Sequence, residues 1–135
     1  MVPDSPTPAT IYKIVERCQW ESAVAAGQFT GSEIDHRDGY IHFSTAQQVH
    51  ETARRHFAGV DDLMIVGVAV ERLGDALVWE PSRGGQPFPH LYAPLPLAAV
   101  VSVDPLPWDQ AGQHRFPNSL STPEQVAAKA KKDKT

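Results

Sequence analysis

The stretch Leu63-Met64-Ile65-Val66-Gly67-Val68-Ala69-Val70 decides the fold of this chain. It contains no polar side chain and is rich in β-branched residues, which is typical of a β-strand. A strand that is apolar on both faces is covered on both faces in the folded protein. We therefore predict that this segment is the central strand of a sheet.

Helices and shorter strands are predicted on both sides of this strand. Residues 19–26 have helical periodicity and end at Gly27, a natural stop signal. Ser44 with Gln47, and Thr45 with Gln48, both have the spacing of a capping box at the start of a second helix, which ends near Gly59. Because helices and strands do not alternate regularly, we predict an α+β fold. The shorter strands are predicted at 11–15, 40–43, 77–80 and 98–103.

The length and composition of the chain fit one domain. The sequence has 135 residues, of which 41% are hydrophobic and 21% charged, as in ordinary globular proteins. We assign residues 11–117 to a single α+β domain. Residues 1–10, with three prolines, are expected to form a flexible arm, and residues 118–135 a polar, lysine-rich tail.

Charge and hydropathy argue against several classes of partner. No apolar run approaches the roughly 18 residues that a membrane span needs, so no membrane partner is expected. The net charge of −4 makes nucleic acid an unlikely partner, since nucleic-acid binding needs a basic surface. The N-terminus has no signal-peptide pattern, and the single cysteine cannot form an internal disulfide. We therefore expect a cytoplasmic protein.

A first group of polar residues follows the predicted strand at 40–43. Side chains alternate between the faces of a strand, so Ile41 and Phe43 should face the core. Tyr40, His42 and Ser44 then share the other face, and Ser44 also begins a helix, where backbone N–H groups favour an anion. This pattern indicates a ligand site. The alternative is a buried histidine with satisfied hydrogen bonds, beside a serine that only caps the helix.

Two further segments carry candidate site residues. His90 and Tyr92 follow the stiff segment Pro87-Phe88-Pro89, and an aromatic ring beside an imidazole suits a planar heterocycle. Glu80 could bind sugar hydroxyls or act as a base, and Arg83 could bind a phosphate or carboxylate. The alternatives are a rigid edge segment for His90 and an exposed ion pair for Glu80 and Arg83. We expect His42 and His90 to face each other across a shared concavity.

The motifs resemble those of the bacterial family called domain of unknown function 952, over residues 11–117. This family is grouped by fold with the ADP-ribosyltransferase-like superfamily. The resemblance thus implies a split mixed β-sheet, about two main helices, and an NAD site in a cleft between two small sheets. The motifs are Ile11-Tyr12-Lys13-Ile14, residues 38–45 with Gln48-Val49, Trp79-Glu80-Pro81 with Arg83, and residues 88–92 with Pro94-Leu95.

The resemblance also implies roles for particular residues. Lys13 would occupy the basic position on the first strand, and His42 and Ser44 match the motif on the second core strand. The late glutamate of the superfamily has no clean counterpart here. Glu80 comes early in the chain, and His90 stands nearer the expected place.

Three hypotheses follow for the function. The first is a pocket for NAD or a related nucleotide, without a metal, that supports ADP-ribosyl- or phospho-transferase-like or hydrolase chemistry. The second is a non-catalytic module that binds a small metabolite. The third is a metal-dependent hydrolase, since two imidazoles and a carboxylate form a known catalytic zinc set. The catalytic candidates are His42, His90 and Glu80, and the ligand contacts are Lys13, Ser44, Thr45, Arg83 and Tyr92.

Overall fold

The computed structural model describes residues 8–81, 85–117 and 120. Most of the expected N-terminal arm and C-terminal tail lie outside these residues, and so does Arg83. In chain order the helices and strands are β1 (Thr10–Glu16), α1 (Arg17–Ala26), β2 (Gln28–Phe29), α2 (Glu33–Asp38), β3 (Ile41–His42), α3 (Val49–His56), β4 (Leu63–Ala69), β5 (Leu77–Pro81), β6 (Pro87–Leu91), β7 (Leu95–Pro96) and β8 (Val100–Leu106).

The strands form three small antiparallel sheets in one α+β domain. The first has the order β1-β4-β8, the second pairs β2 with β7, and the third has the order β3-β6-β5. The prediction of a central strand is therefore confirmed for β4. The first and third sheets are joined where the backbones of Tyr12 and Ser44 exchange two hydrogen bonds of 2.7 and 2.8 Å.

The two faces of β4 contribute to two separate hydrophobic clusters. Val66 and Val68 point into the larger cluster, together with residues of α1 and of the third sheet. Leu63 and Ile65 point into the smaller cluster, which α3 covers. All four side chains are almost completely buried. The apolar character of both faces, visible in the sequence, thus reflects packing on both sides of the strand.

The local helix signals are confirmed, although one helix was not predicted. Helix α1 ends at Gly27, whose φ of 89° is left-handed. The capping box is present, because the N–H of Thr45 donates to Oε1 of Gln48 at 3.0 Å and the N–H of Gln48 donates to Oγ1 of Thr45 at 3.2 Å. The unpredicted helix is α2. No helix in the described part of the chain has the length and apolar character needed to cross a membrane.

Gly67 is a position where β4 has no room for a side chain. An added Cβ would collide with Oγ of Ser102 and would lie 3.2 Å from Cε1 of Tyr12. We expect Gly67→Ala to lower the free energy of unfolding by about 1–3 kcal/mol, as overpacking typically does. Urea unfolding measures this loss, and Gly67→Ala/Ser102→Gly should recover part of it. Equal stability of the wild type and Gly67→Ala would contradict the prediction.

Candidate functional site

The third sheet has one face in the core and one face outside it. Residues opposite each other in antiparallel strands point to the same side. Ile41 and Leu91 are opposite each other and both are buried in the core. His42, His90 and Val78 are also in register across the three strands, and Val78 is 38% exposed. We call this outer side of the sheet, with the aromatic and acidic side chains that contact it, the histidine face.

Aromatic rings are close together on the histidine face. The rings of His42 and His90 have centroids 5.5 Å apart, so the two imidazoles are close together, as expected. They lie side by side on neighbouring strands of one sheet, whereas we expected them to face each other across a concavity. The ring of Tyr40 stacks on His90 with centroids 4.1 Å apart and planes 25° apart. Tyr40 also lies near His42, at 4.7 Å, and near Tyr92, at 5.1 Å. Four rings thus form one cluster: two from strands β3 and β6, one from the residue before β3 and one from the residue after β6.

Glu80 joins this cluster through two hydrogen bonds. Its Oε1 lies 2.7 Å from Nδ1 of His90, and the hydroxyl of Tyr92 donates to the same oxygen at 2.7 Å. These bonds lower the pKa of Glu80, and the bond to Glu80 raises the pKa of Tyr92 to about 12. A carboxylate only accepts, so the proton on His90 is on Nδ1. Nε2 of His90 has no hydrogen-bond partner within the described residues.

The other imidazole, His42, contacts a carboxylate that sequence reasoning missed. Nδ1 of His42 lies 2.6 Å from Oδ1 of Asp35, whose side chain is only 1% exposed. Nζ of Lys13 lies 2.9 Å from Oδ2 of the same carboxylate. The backbone N–H groups of Ser32 and His42 also donate to Asp35, at 2.8 and 3.1 Å. Asp35 therefore has hydrogen-bond donors on both oxygens.

Charge and hydrogen bonds keep Asp35 ionised although it is buried. Burial alone would raise its pKa, but the hydrogen bond from His42 and the charge of Lys13 outweigh burial and hold the pKa of Asp35 well below its ordinary value. Burial lowers the pKa of Lys13, and the charge of Asp35 opposes that change. The predicted ligand contact Lys13 is itself buried and paired inside the protein.

The second nitrogen of His42 also faces a carboxylate. Nε2 lies 2.9 Å from Oδ2 of Asp38, which is partly exposed and also accepts a hydrogen bond of 3.0 Å from Nε of Arg37. The bond from Arg37 lowers the pKa of Asp38. Asp35 and Asp38 are three residues apart, so they lie on the same side of helix α2. His42 is thus held between two acidic side chains of one helix.

The predicted contacts Ser44 and Thr45 have partners elsewhere in the protein. Oγ of the buried Ser44 lies 2.9 Å from Oγ1 of Thr52 on α3, so it does not share the face of His42 as expected. The reason is that β3 ends at His42 and Ser44 pairs with Tyr12 of the first sheet. Thr45 caps the turn before α3. Arg83 lies outside the described residues.

The metal-site hypothesis finds no ligand set in the described residues. No group of three or more His, Cys, Asp or Glu there is arranged to hold a metal ion. Both nitrogens of His42 face carboxylates, and Nδ1 of His90 is bonded to Glu80. The hydrolase that would use His42, His90 and Glu80 as metal ligands is therefore not supported.

One sequence signal could have located Asp35. Ser32 and Asp35 have capping-box spacing, and the structure contains this box at the start of α2. The spacing indicates a helix start between Gly31 and Asp38, where we predicted no helix. It does not predict that the carboxylate also reaches Lys13 and His42.

Comparison with known proteins identifies the family. The model of the family described as "Protein of unknown function (DUF952)" matches residues 14–103. The chain belongs to this family. The match includes the strands that carry His42, Glu80 and His90. No curated protein matches the chain.

The fold of this DUF952 protein is similar to that of a protein of known structure. The crystal structure of protein CC0527 from Caulobacter crescentus has a TM-score of 0.79 at 42% sequence identity, covering 84% of this chain and 99% of that chain. A double mutant of CC0527 gives the same values. Its solution NMR structure has a TM-score of 0.71 at 44% identity, covering 78% of this chain and 91% of that chain.

Proposed function

We propose that the histidine face binds a nucleotide of the NAD type and that His42, His90 and Glu80 act on its N-glycosidic bond. The observation that carries this proposal is the cross-strand pair of His42 and His90. This pair brings two carboxylate-bound imidazoles and two tyrosines onto one side of a three-stranded sheet.

The aromatic and acidic side chains suit a positively charged heterocycle. The nicotinamide ring of NAD is planar and cationic, and such rings are attracted to aromatic faces and to carboxylates. Tyr92 is 47% exposed, and Val78, which is opposite His90 on the neighbouring strand, is 38% exposed. Glu80 and Asp38 supply negative charge at the same face. A cationic ring can therefore lie on Tyr92 with its charge near Glu80.

The same residues suit cleavage of the bond between that ring and ribose. As the bond breaks, the ribose gains positive charge and nicotinamide leaves as a neutral molecule. An ionised Glu80 favours the charge that develops on the ribose. His90 holds its proton on Nδ1, so Nε2 can accept the proton of the hydroxyl that attacks C1′ of the ribose.

Two further points support an ADP-ribosyltransferase-like assignment of the fold and site. The first and third sheets meet at the bridge between Tyr12 and Ser44, and the resemblance implies a sheet split into two small parts. Arg83 is three residues after Glu80 and remains our candidate for contact with the phosphates. Lys13, Ser44 and Thr45 are assigned to support of the site, since their polar groups are bonded within the protein.

The proposal predicts a preference for the oxidised cofactor. NAD and NADH share their phosphates and riboses, but only NAD carries the ring charge. A cation–aromatic contact contributes about 1–2 kcal/mol, so NAD should bind roughly 5–30 times more tightly than NADH. A thermal-shift assay with each cofactor measures this preference. A ligand at one hundred times its Kd raises the free energy of unfolding of the protein by about 2.7 kcal/mol. Equal stabilisation by NAD and NADH would contradict the proposal. A protein that neither cofactor stabilises would contradict it as well.

A second candidate function is binding without turnover. It is favoured by the burial of His90, which is only 4% exposed, and by the carboxylates on both nitrogens of His42. Incubation with NAD, followed by chromatography for free nicotinamide, separates the two functions. A protein that is stabilised by NAD but releases no nicotinamide is the binding module.

A further inference from the structure

The two carboxylates on His42 differ in how firmly they are held. Asp35 is buried and accepts hydrogen bonds from Lys13 and from the backbone N–H groups of Ser32 and His42. Asp38 is partly exposed and is shared with the exposed side chain of Arg37. Any displacement of Asp35 would break several bonds in the protein interior. Asp38, by contrast, can move into solvent without leaving a buried group unpaired.

We propose that Asp35 is a positioning residue for His42, and that Asp38 occupies the place of a ligand acceptor atom. Asp35 holds Nδ1–H toward the interior. Nε2 is then the ring nitrogen that can meet a ligand, and the ligand displaces Asp38 from it. The proposal rests on the proposed function only for the identity of that ligand.

The chemistry of the contacts defines the ligand atom that replaces Asp38. A carboxylate only accepts hydrogen bonds, so Nε2 of His42 must donate whenever it bonds to Asp38. The group that takes the place of Asp38 is therefore an acceptor, such as a carboxamide oxygen or a phosphate oxygen. A hydroxyl that must lose its proton does not fit this position. Within the proposed site His42 thus orients the ligand, and His90 receives the proton.

The roles of the charged neighbours follow from their positions. Lys13 on β1 faces the far side of Asp35 and balances its charge. His90 on β6 meets His42 at an angle of 70°, and Tyr40 packs against both rings. Among the described residues, Asp38 is the charged group that contacts the outer nitrogen of His42. Among the described residues, Asp38 is therefore the group that a ligand acceptor atom has to displace from this nitrogen.

The first test needs no variant and no ligand. Nitrogen-15 NMR of the histidine rings reports which nitrogens carry protons. In the wild type at neutral pH, Nδ1 of His42 should show the chemical shift of a protonated nitrogen. An unprotonated Nδ1 would overturn the inference, whether or not the protein binds NAD.

The second test compares two double variants in which the buried charges are removed together. Lys13→Met/Asp35→Asn keeps an oxygen that can accept from Nδ1 of His42, and Lys13→Met/Asp35→Leu does not. We expect the Asn variant to retain a protonated Nδ1, and the Leu variant to shift toward the other tautomer. With NAD as the probe, Kd should stay within about threefold in the Asn variant and rise at least tenfold in the Leu variant.

The outcomes separate this inference from the proposed function. If NAD never stabilises the protein, the proposed function fails, and the NMR result still decides the role of Asp35. If the Leu variant does not fold, the Nδ1 chemical shift and the Kd are compared between the Asn variant and the wild type. Equal Nδ1 shifts and equal Kd values in two folded double variants would show that Asp35 is only structural, and would overturn the inference.

Discussion

Lys13→Ala lowers the free energy of unfolding by about 3–5 kcal/mol, because it leaves a buried carboxylate without its main charge partner. Asp35 is 1% exposed and holds Lys13 at 2.9 Å. Removal of one member of a buried ion pair leaves the other desolvated and uncompensated. Urea unfolding monitored by tryptophan fluorescence gives the change, since Trp20 is in the core.

A matched exposed pair provides the control for this prediction. Arg17 and Asp62 are 2.6 Å apart, but their side chains are 43% and 71% exposed. Arg17→Ala should therefore lower the free energy of unfolding much less than Lys13→Ala does. Lys13→Met/Asp35→Asn, which removes both buried charges, should recover most of the loss seen in Lys13→Ala. Losses of equal size at positions 13 and 17 would mean that burial does not strengthen the Lys13 contact.

The parts of the fold that the sequence predicted are those with strong local signals. β4 is apolar at every position, α1 has a glycine stop, and the turn before α3 has the reciprocal bonds of Thr45 and Gln48. Each signal acts within a few residues, so it is visible in a single sequence. The alternation in β3 likewise placed Ile41 in the core and His42 outside it.

Helix α2 could not be predicted in the same way. It has six residues, and its one large apolar side chain, Ile34, is 44% exposed. It therefore has no apolar stripe from which helical periodicity could be recognised. The helix is fixed by its cap and by contacts of Asp35 with Lys13, 22 residues away in the sequence. Contacts at that distance do not follow from local propensity.

Lys13 shows how a site residue can be given the wrong immediate partner. It lies between Ile11 and Val15 on the inward face of β1, and both neighbours are buried. A lysine at a core position requires an acidic partner, which is a stronger constraint than a ligand that is bound part of the time. The alternation of β1 was visible in the sequence. It was a signal for burial of Lys13, and hence for an internal carboxylate, that our sequence analysis did not use.

The two histidines of the histidine face have carboxylate partners that differ in burial. His42 is tied to the interior through Asp35, whereas His90 is tied to Glu80, which is 36% exposed. Glu80 also accepts from Tyr92, so its charge is directed to the outer side of the sheet. We therefore expect the proposed reaction to change the charge of Glu80 and His90, whereas a ligand at His42 would move only Asp38. A substitution that removes only the charge of Glu80 therefore tests catalysis directly.

Glu80→Gln should reduce nicotinamide release from NAD by about 100-fold or more, the usual range for loss of a group that supports acid–base catalysis or transition-state charge. Gln keeps an oxygen that can accept from His90 and Tyr92, so the fold and the ring cluster should be preserved. Only the negative charge is lost. Single-turnover assays at saturating NAD measure the effect on the chemical step.

Binding measurements show whether this loss concerns charge or structure. ADP-ribose lacks the cationic ring, so Glu80→Gln should leave its Kd almost unchanged, whereas the Kd for NAD should rise by a few fold. Glu71→Gln, at an exposed position on the turn after β4, is the matched control and should change neither value. Unchanged nicotinamide release in Glu80→Gln would remove Glu80 from the catalytic group. Loss of Glu80 as a transition-state charge would affect only the reaction with NAD. If Glu80→Gln also weakens ADP-ribose binding and lowers thermal stability, Glu80 therefore has a structural role.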